Sequence, residues 1–431
     1  MIKRFIKNTF LLYWELLLLF GLIYWGIYDV RFMFAAFLIN VVTIVFGNFK
    51  LGFAQLFFLL PFSMIYKLSP ESSSFFAYGM LVMSVVALSK TITKTASIYV
   101  LIFLYTLYLF AGLTANWSMV IKAIGGLICL VYFVKSTKVS DIRDIILSSS
   151  LGILGASYMG LSKLTNPNIH QFFTDDNSEY MNGERIFRFS GLMPDPNYYS
   201  VSVIVVVFML IRLVQSKVIN KYFGSGLILT LIWFGALSYS RIYFISLFFL
   251  VLYYVHLYTG KSRYGLLSLI GVSITSIFAW LYFTNTFYYL NAISRFEVDD
   301  VSNGRTSLWV QYIKIILDDV KILLLGSGYD SKLVGGHGAH NTYIEAIYHI
   351  GCIGLLLLLT LFRSIFRLRG PFNGKWPKGQ RWEQYVLLMI FCVMIGTLGF
   401  YKQNDFPFYL MMVWVSMYYT PFELTKAYSY K

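Results

Sequence analysis

Long apolar runs separated by short polar links make up most of this sequence. Three of them, 10–27, 51–66 and 98–113, have or nearly have the length that a helix needs to cross a hydrocarbon core ~30 Å thick. Membrane-spanning strands alternate apolar and polar residues, and these runs do not. Only 13% of the residues are charged, against about 25% in soluble domains. The pattern therefore predicts an all-α, polytopic helical membrane protein.

The apolar runs predict about 14 transmembrane helices. Their ranges are 10–27, 30–46, 51–66, 75–89, 97–114, 118–134, 142–160, 196–214, 222–238, 241–259, 264–284, 341–362, 384–400 and 406–420. With the N-terminus inside, the inner links hold 22 of the 35 Lys and Arg residues and the short outer links hold five. This asymmetry predicts that both termini are cytoplasmic. The net charge of +15 then reflects topology, so nucleic acid is not an expected partner.

Two polar segments are predicted to be long extracytoplasmic loops. The chain then divides into N-terminal helices 1–160, first loop 161–195, central helices 196–284, second loop 285–340 and C-terminal helices 341–431. Ionisable residues are scarce within the spans, where Glu15 lies well inside and Lys122 and Glu345 lie near outer ends. Ion-coupled transporters usually keep such residues at mid-depth. This distribution favours a functional site at the outer face.

The first loop ends in a basic segment that leads directly into a span. Arg185 and Arg188 precede Asp195-Pro196, a good N-cap and first-turn pair, and Asn197 follows them. Arginine forks beside the positive end of a helix suit a phosphate or pyrophosphate. The same arginines also suit lipid headgroups or the acidic residues of this loop, and the sequence leaves both roles open.

Two more outer arginines stand at predicted helix starts. Arg241 follows Ser240, where a cation is slightly unfavourable unless an anion binds there; snorkelling to the interface is the alternative. Arg305 precedes 306–317, whose apolar residues recur at helical spacing, so an amphipathic helix is predicted along the outer interface. The pattern at 326–328, Gly-Ser-Gly, lacks the full nucleotide-binding fingerprint.

The second loop ends with two histidines. His337 and His340 are candidates for a general base near neutral pH, or they are surface histidines of a polar loop. Asn341 and Glu345 follow in the first turns of the next span, where they would orient an imidazole or hold a sugar. No third ligand occurs at motif spacing, so a metal site is not predicted.

The order of these motifs resembles the O-antigen polymerase/ligase superfamily. The matching residues are Arg188-Phe189-Ser190-Gly191, Asp195-Pro196-Asn197, Arg241 after a serine, Gly304-Arg305, Gly326-Ser327-Gly328, Ala339-His340-Asn341, Glu345 and Gly351. The order of helices and loops matches over nearly the whole chain, and these motifs lie between Arg188 and Gly351. It is most similar to that of a Wzy-type capsular, O-antigen or exopolysaccharide polymerase.

The resemblance implies a GT-C-like, metal-independent and inverting glycosyltransferase of the bacterial plasma membrane, with no cofactor. Such enzymes transfer a growing glycan from undecaprenyl pyrophosphate to another lipid-linked repeat unit at the outer face. A chain-length co-polymerase and a flippase are further partners that it suggests. A polysaccharide ligase of the same superfamily is the alternative enzyme, and a lipid-linked oligosaccharide flippase is the rival of another class.

The resemblance also implies roles for the candidate residues. The pyrophosphate ligands are Arg185, Arg188, Arg241 and Arg305. His340 matches the position of the base, with His337 as its substitute. The residues that hold the glycan or orient the site are Asn197, Asn341 and Glu345.

Overall fold

The protein is described by a computed structural model. It covers residues 2–112, 116–173, 178–181, 184–259, 305–329, 331, 333–336, 338–368, 381–399, 402–403 and 405–419. These residues are predominantly helical, as the all-α prediction requires. The predicted span 264–284, the 285–304 part of the second loop and His337 lie outside the described residues.

The helices of the described residues follow the predicted apolar runs. They are α1 Ile2–Gly26, α2 Val30–Phe46, α3 Phe49–Leu59, α4 Phe75–Thr91, α5 Ala96–Ala111, α6 Trp117–Ser136, α7 Val139–Gly160, α8 Pro167–His170, α9 Pro196–Gln215, α10 Lys221–Ala236, α11 Arg241–Thr259, α12 Arg305–Asp318, α13 Val320–Leu325, α14 Thr342–Arg367, α15 Arg381–Ile395 and α16 Phe406–Tyr418. A short antiparallel hairpin, β1 Ser178–Met181 and β2 Glu184–Phe187, lies in the first predicted loop.

Three helices of the described residues are long and apolar enough to cross a membrane by themselves. They are α6, α9 and α14, and eight further helical segments are apolar but shorter. These lengths and compositions are those of a membrane-embedded helical protein. Because only three helices meet the criterion on their own, the number of about 14 crossings stays a prediction.

The predictions for two spans were wrong in detail, since one helix ends earlier than predicted and the other is interrupted. The span predicted at 384–400 ends early, because α15 stops at Ile395 and the chain turns between two glycines, Gly396 and Gly399. The span predicted at 341–362 is not one continuous helix, because α14 is interrupted at Gly351, where φ is +61°.

Hydrogen bonds from other segments stabilise the interruption of α14. The carbonyls of Tyr348 and His349 accept the backbone N–H groups of Ser327 and Gly328 at 2.8 and 3.1 Å. The Tyr108 hydroxyl donates to the carbonyl of Ile350 at 2.7 Å. A broken helix in a membrane protein needs such partners, because unpaired backbone groups are costly in hydrocarbon. The Gly-Ser-Gly pattern at 326–328 therefore packs against the break.

We expect Gly351→Ala to destabilise the protein by at least ~1–3 kcal/mol, because its backbone (φ +61°, ψ 179°) is in a region that essentially only glycine adopts. The added Cβ would also lie 2.4 Å from the carbonyl oxygen of Leu324. Thermal unfolding of the purified protein in detergent measures the effect. Gly21→Ala is the matched control, because its Cβ meets nothing within 4 Å. Equal unfolding temperatures for the two variants would contradict this account of the break.

Helices α9 and α16 run side by side in the same direction. Buried Arg212, near the end of α9, donates to the carbonyls of Ser416 and Tyr419 at 2.7 and 3.1 Å. A cation is favourable at the C-terminal end of a helix. Near the other end, the hydroxyls of Ser202 and Tyr409 share a hydrogen bond. The N-terminal ends of α9 and α16 therefore lie at the same end of the bundle, where the candidate site is found.

Candidate functional site

Arg188 is buried and fixed between two helix-terminal segments. It is 7% exposed. Its Nε donates to the carbonyl of Ser238 at 3.2 Å, and its Nη2 donates to Oδ1 of Asn197 at 3.3 Å. The next residue, Phe189, donates its backbone N–H to the carbonyl of Leu237 at 3.1 Å. The guanidinium therefore joins the first turn of α9 to the turn that connects α10 with α11.

The N-terminal ends of α9 and α11 are joined through Asn197. Its Oδ1 also accepts the Ser240 hydroxyl at 2.7 Å, and Arg241 follows Ser240 as the first residue of α11. Asp195 caps α9 by accepting the backbone N–H of Asn197 at 2.6 Å, as predicted from Asp195-Pro196. Two helix N-termini thus meet beside the guanidinium of Arg188, with Arg241 as the first residue of α11. Helix N-termini and guanidinium groups favour an anion.

The turn at 396–399, after α15, connects these residues with the second loop. Arg305 donates from Nη1 to the carbonyl of Thr397 at 3.0 Å. The Tyr198 hydroxyl donates to the carbonyl of Gly399 at 3.1 Å, and the hydroxyl of Thr342 donates to that of Leu398. Sequence reasoning missed this turn, although its paired glycines were a turn signal. It brings the starts of α9, α12 and α14 to one place.

Glu345 is a buried carboxylate surrounded closely by backbone. It is 7% exposed, and its Oε1 accepts the backbone N–H of His340 at 3.0 Å. A Cβ on Gly399 would lie 2.2 Å from Oε2, and one on Gly338 would lie 2.9 Å from Oε1. Glu345 therefore fixes the backbone of the His340 segment.

His340 is exposed and its backbone is held in an unusual conformation. Its φ is +47°, in the left-handed region that costs a non-glycine residue energy. Asn341 follows as the N-cap of α14, accepting the backbone N–H groups of Tyr343 and Ile344 at 3.0 and 3.2 Å. The observed contacts give Asn341 a capping role. His337 is outside the described residues, so the structure leaves the choice between the two histidines as predicted.

The predicted amphipathic helix packs beside the histidine segment. Trp309 of α12 donates its indole N–H to the carbonyl of Ala339 at 2.7 Å. The Tyr312 hydroxyl accepts the backbone N–H of Val334 at 3.1 Å, and the Tyr312 ring meets the Tyr348 ring edge-on at 5.0 Å. The helical prediction for 306–317 is confirmed by α12. Arg185 lies in β2, where it is paired with Tyr180 of β1.

Further polar residues near the site come from the link before α16, which the sequence reasoning did not single out. Gln403 donates to the hydroxyl of Tyr198 at 3.4 Å, and the ammonium of Lys402 lies 5.2 Å from the ring centre of Tyr329. Burial raises the pKa of the Asp405 carboxyl from its usual value near 3.8 to about 6. This carboxyl therefore changes charge close to neutral pH.

We expect Gly399→Ala to displace the Glu345 carboxylate and to lower stability by the energy of the hydrogen bond that His340 loses, ~1.5–3 kcal/mol. The side-chain atoms nearest to the new Cβ belong to the end of Glu345, which can rotate away. The His340 backbone then loses its acceptor, so activity falls more than about tenfold, as when one charged hydrogen bond of ~1.5–3 kcal/mol is lost. Gly226→Ala, with nothing within 4 Å, is the matched control. Full activity with Gly399→Ala would show that Glu345 need not stay where it is.

The described contacts bring the N-terminal ends of α9, α11, α12 and α14 together at one end of a membrane-embedded helical bundle, with Arg188, Arg241 and Arg305 in these segments. Among the described residues, no three His, Cys, Asp or Glu side chains form a group that could hold a metal ion. Comparisons with family models, curated proteins and solved structures find no match to this chain. The function is therefore inferred from the residues of the site and from the resemblance to the O-antigen polymerase/ligase superfamily.

Proposed function

We propose that this protein is a polysaccharide repeat-unit polymerase of the bacterial plasma membrane. It transfers a growing glycan from undecaprenyl pyrophosphate to another lipid-linked repeat unit at the extracytoplasmic face. The observation that carries the proposal is the joining of Arg188, Asn197 and the Ser240-Arg241 turn at the N-termini of α9 and α11. Arg188, Asn197 and Arg241 belong to separate segments of the chain, and all three are among the residues that carry the resemblance to the superfamily.

The pyrophosphate of the donor is assigned to the arginines. Arg188 and Arg241 come from adjoining segments, and Arg305 reaches the same end of the bundle through the 396–399 turn. The glycosidic C–O bond breaks in the reaction, and pyrophosphate leaves with the electron pair. Fixed guanidinium groups and helix N-termini stabilise that developing charge. They supply this stabilisation without a metal ion.

The acceptor is activated by His340 in this proposal. The acceptor hydroxyl attacks the anomeric carbon, and its proton passes to the imidazole. The exposed position of His340 lets its ring meet a sugar, while Glu345 holds the backbone beside it. A single displacement of this kind inverts the anomeric configuration.

The orientation of the protein follows from the basic residues. Both termini are placed in the cytoplasm, with about 14 helices in a GT-C-like arrangement and the arginine site outside. The 161–195 and 285–340 segments are then the outer loops. The growing chain and its acceptor both enter from the bilayer, since each carries a polyprenyl tail.

The lipid-linked pool of cells that lack the protein distinguishes the candidates. Loss of a polymerase leaves single repeat units on undecaprenyl pyrophosphate at the outer face. Loss of a ligase leaves finished polymer on the same carrier, and loss of a flippase leaves single units at the inner face. Extraction of these lipids and sizing of their glycans separates the ligase from the other two. Digestion of intact spheroplasts by an added glycosidase, which reaches only the outer face, separates the polymerase from the flippase. Finished polymer on the carrier would replace the proposed activity with that of the ligase.

A further inference from the structure

Lys163, in the segment after α7, is buried beside the candidate site. It is 1% exposed. Its ammonium lies 3.7 Å from the ring centre of Phe173 and donates to the hydroxyl of Ser190 at 3.1 Å. Among the described residues it is the one lysine in the buried set. Its hydrogen-bond partner Ser190 lies two residues after Arg188 in the chain. The sequence did not predict this position for Lys163.

Burial of an ammonium group is energetically unfavourable, because it takes the charge out of water. A well-packed apolar side chain of similar volume is often as stable or more so. The ring face of Phe173 offsets part of this cost through a cation–π contact. Because an apolar side chain of similar volume would fill the same space, the choice of lysine points to a role for its charge.

The charge acts on the segment that carries Arg188. Ser190 accepts from Lys163 and donates its own hydroxyl to the carbonyl of Met193 at 2.9 Å, so it closes a tight turn. Gly191 in that turn has a φ of +55°, and a Cβ on Gly160 at the end of α7 would lie 2.6 Å from its Cα. The Arg188–Met193 segment thus packs closely against the end of α7, and Lys163 makes a hydrogen bond to it through Ser190.

We propose that Lys163 is a positioning residue for the anion site. It holds Ser190, and through Ser190 the segment that places the guanidinium of Arg188. Its buried positive charge also adds to the potential that attracts an anion to this end of the bundle. The inference rests on the proposed function, since it assigns Lys163 to the pyrophosphate site described above.

Binding of inorganic pyrophosphate to the purified full-length protein in detergent tests the inference. We expect Lys163→Met, which keeps the length of the side chain but removes its charge, to weaken binding about tenfold or more, the range of a lost charged hydrogen bond. Its unfolding temperature stays equal to or above that of the wild type, because methionine suits an apolar pocket. Lys163→Arg restores binding to within about threefold, because it keeps a cation and its donors.

Two further variants complete the design. Ser190→Ala removes only the acceptor of Lys163, and it weakens binding in the same direction even if Lys163→Met fails to fold. Lys67→Met, in a predicted outer link, is the matched control and binds as the wild type does.

Each outcome separates the two proposals. Wild-type protein that binds pyrophosphate, together with Lys163→Met protein that binds equally well, overturns the role of Lys163 and leaves the proposed function standing. Unchanged binding with a lowered unfolding temperature assigns Lys163 to structure alone and also overturns it. Wild-type protein that does not bind pyrophosphate overturns the anion site, and the role of Lys163 falls with it.

Discussion

Arg241→Ala is expected to slow polymer formation roughly 100–1000-fold, the usual effect of removing one group that stabilises transition-state charge. Arg188 supports the surrounding structure through Ser238 and Asn197, so its removal would combine a structural effect with the loss of charge. Ser240 places Arg241 by its hydrogen bond to Asn197, a contact that the substitution leaves in place. The protein should therefore still insert and accumulate. Gel analysis of the polymer, with immunodetection of the protein in membranes, measures both.

Two further substitutions sharpen the result for Arg241. Arg241→Lys keeps the charge but loses the planar fork, so we expect an intermediate rate. Arg31→Ala is the matched control, because Arg31 is 88% exposed and pairs only locally with Asp29 at 2.6 Å. Polymer of normal length and amount from Arg241→Ala would exclude Arg241 from the site.

Removal of the His340 imidazole is expected to slow turnover ~10²–10⁴-fold, the contribution of a general base. Asparagine is the informative replacement. Because φ at His340 is +47°, alanine would add backbone strain, whereas asparagine tolerates this conformation and cannot accept the proton at neutral pH. His340→Asn thus removes the base while preserving the turn that Glu345 holds. Turnover of the purified protein, with its unfolding temperature, is the measurement.

The other histidines supply the comparison. His170→Asn, in an exposed position at the end of α8, is the control and should retain full turnover. His337→Asn tests the substitute base that the resemblance leaves open. Wild-type turnover from His340→Asn, with loss from His337→Asn, would move the base to His337. Full turnover from both variants would contradict histidine as the base.

The sequence was sufficient to predict where most helices lie. Apolar run length determines the helices because the hydrocarbon core demands it, and Asp195 with Pro196 predicted the start of α9 for a local reason, the capping of its first turn. Asn341 was predicted to orient an imidazole or to hold a sugar; it is observed as the N-cap of α14, and its role toward the substrate stays a prediction. The same residue types suit both roles, so pattern alone does not separate them.

The contacts that assemble the site were beyond local patterns. Arg305 reaches the carbonyl of Thr397, which lies 92 residues along the chain, and Tyr198 reaches Gly399 across 201 residues. The span predicted at 384–400 from hydropathy included the glycine turn at 396–399, because this turn is short and apolar. The break of α14 at Gly351 was not predicted, because its hydrogen-bond partners at Ser327 and Gly328 belong to a different segment.

The most direct test is turnover of the purified protein with its own lipid-linked repeat unit, measured with and without a chelator of divalent metals. The account predicts that glycans longer than one repeat form in both samples and that undecaprenyl pyrophosphate is released in proportion to the bonds made. Arg241→Ala should abolish both signals in the same preparation. Strict dependence on a metal ion, or elongation without release of undecaprenyl pyrophosphate, would contradict the arginine–histidine mechanism.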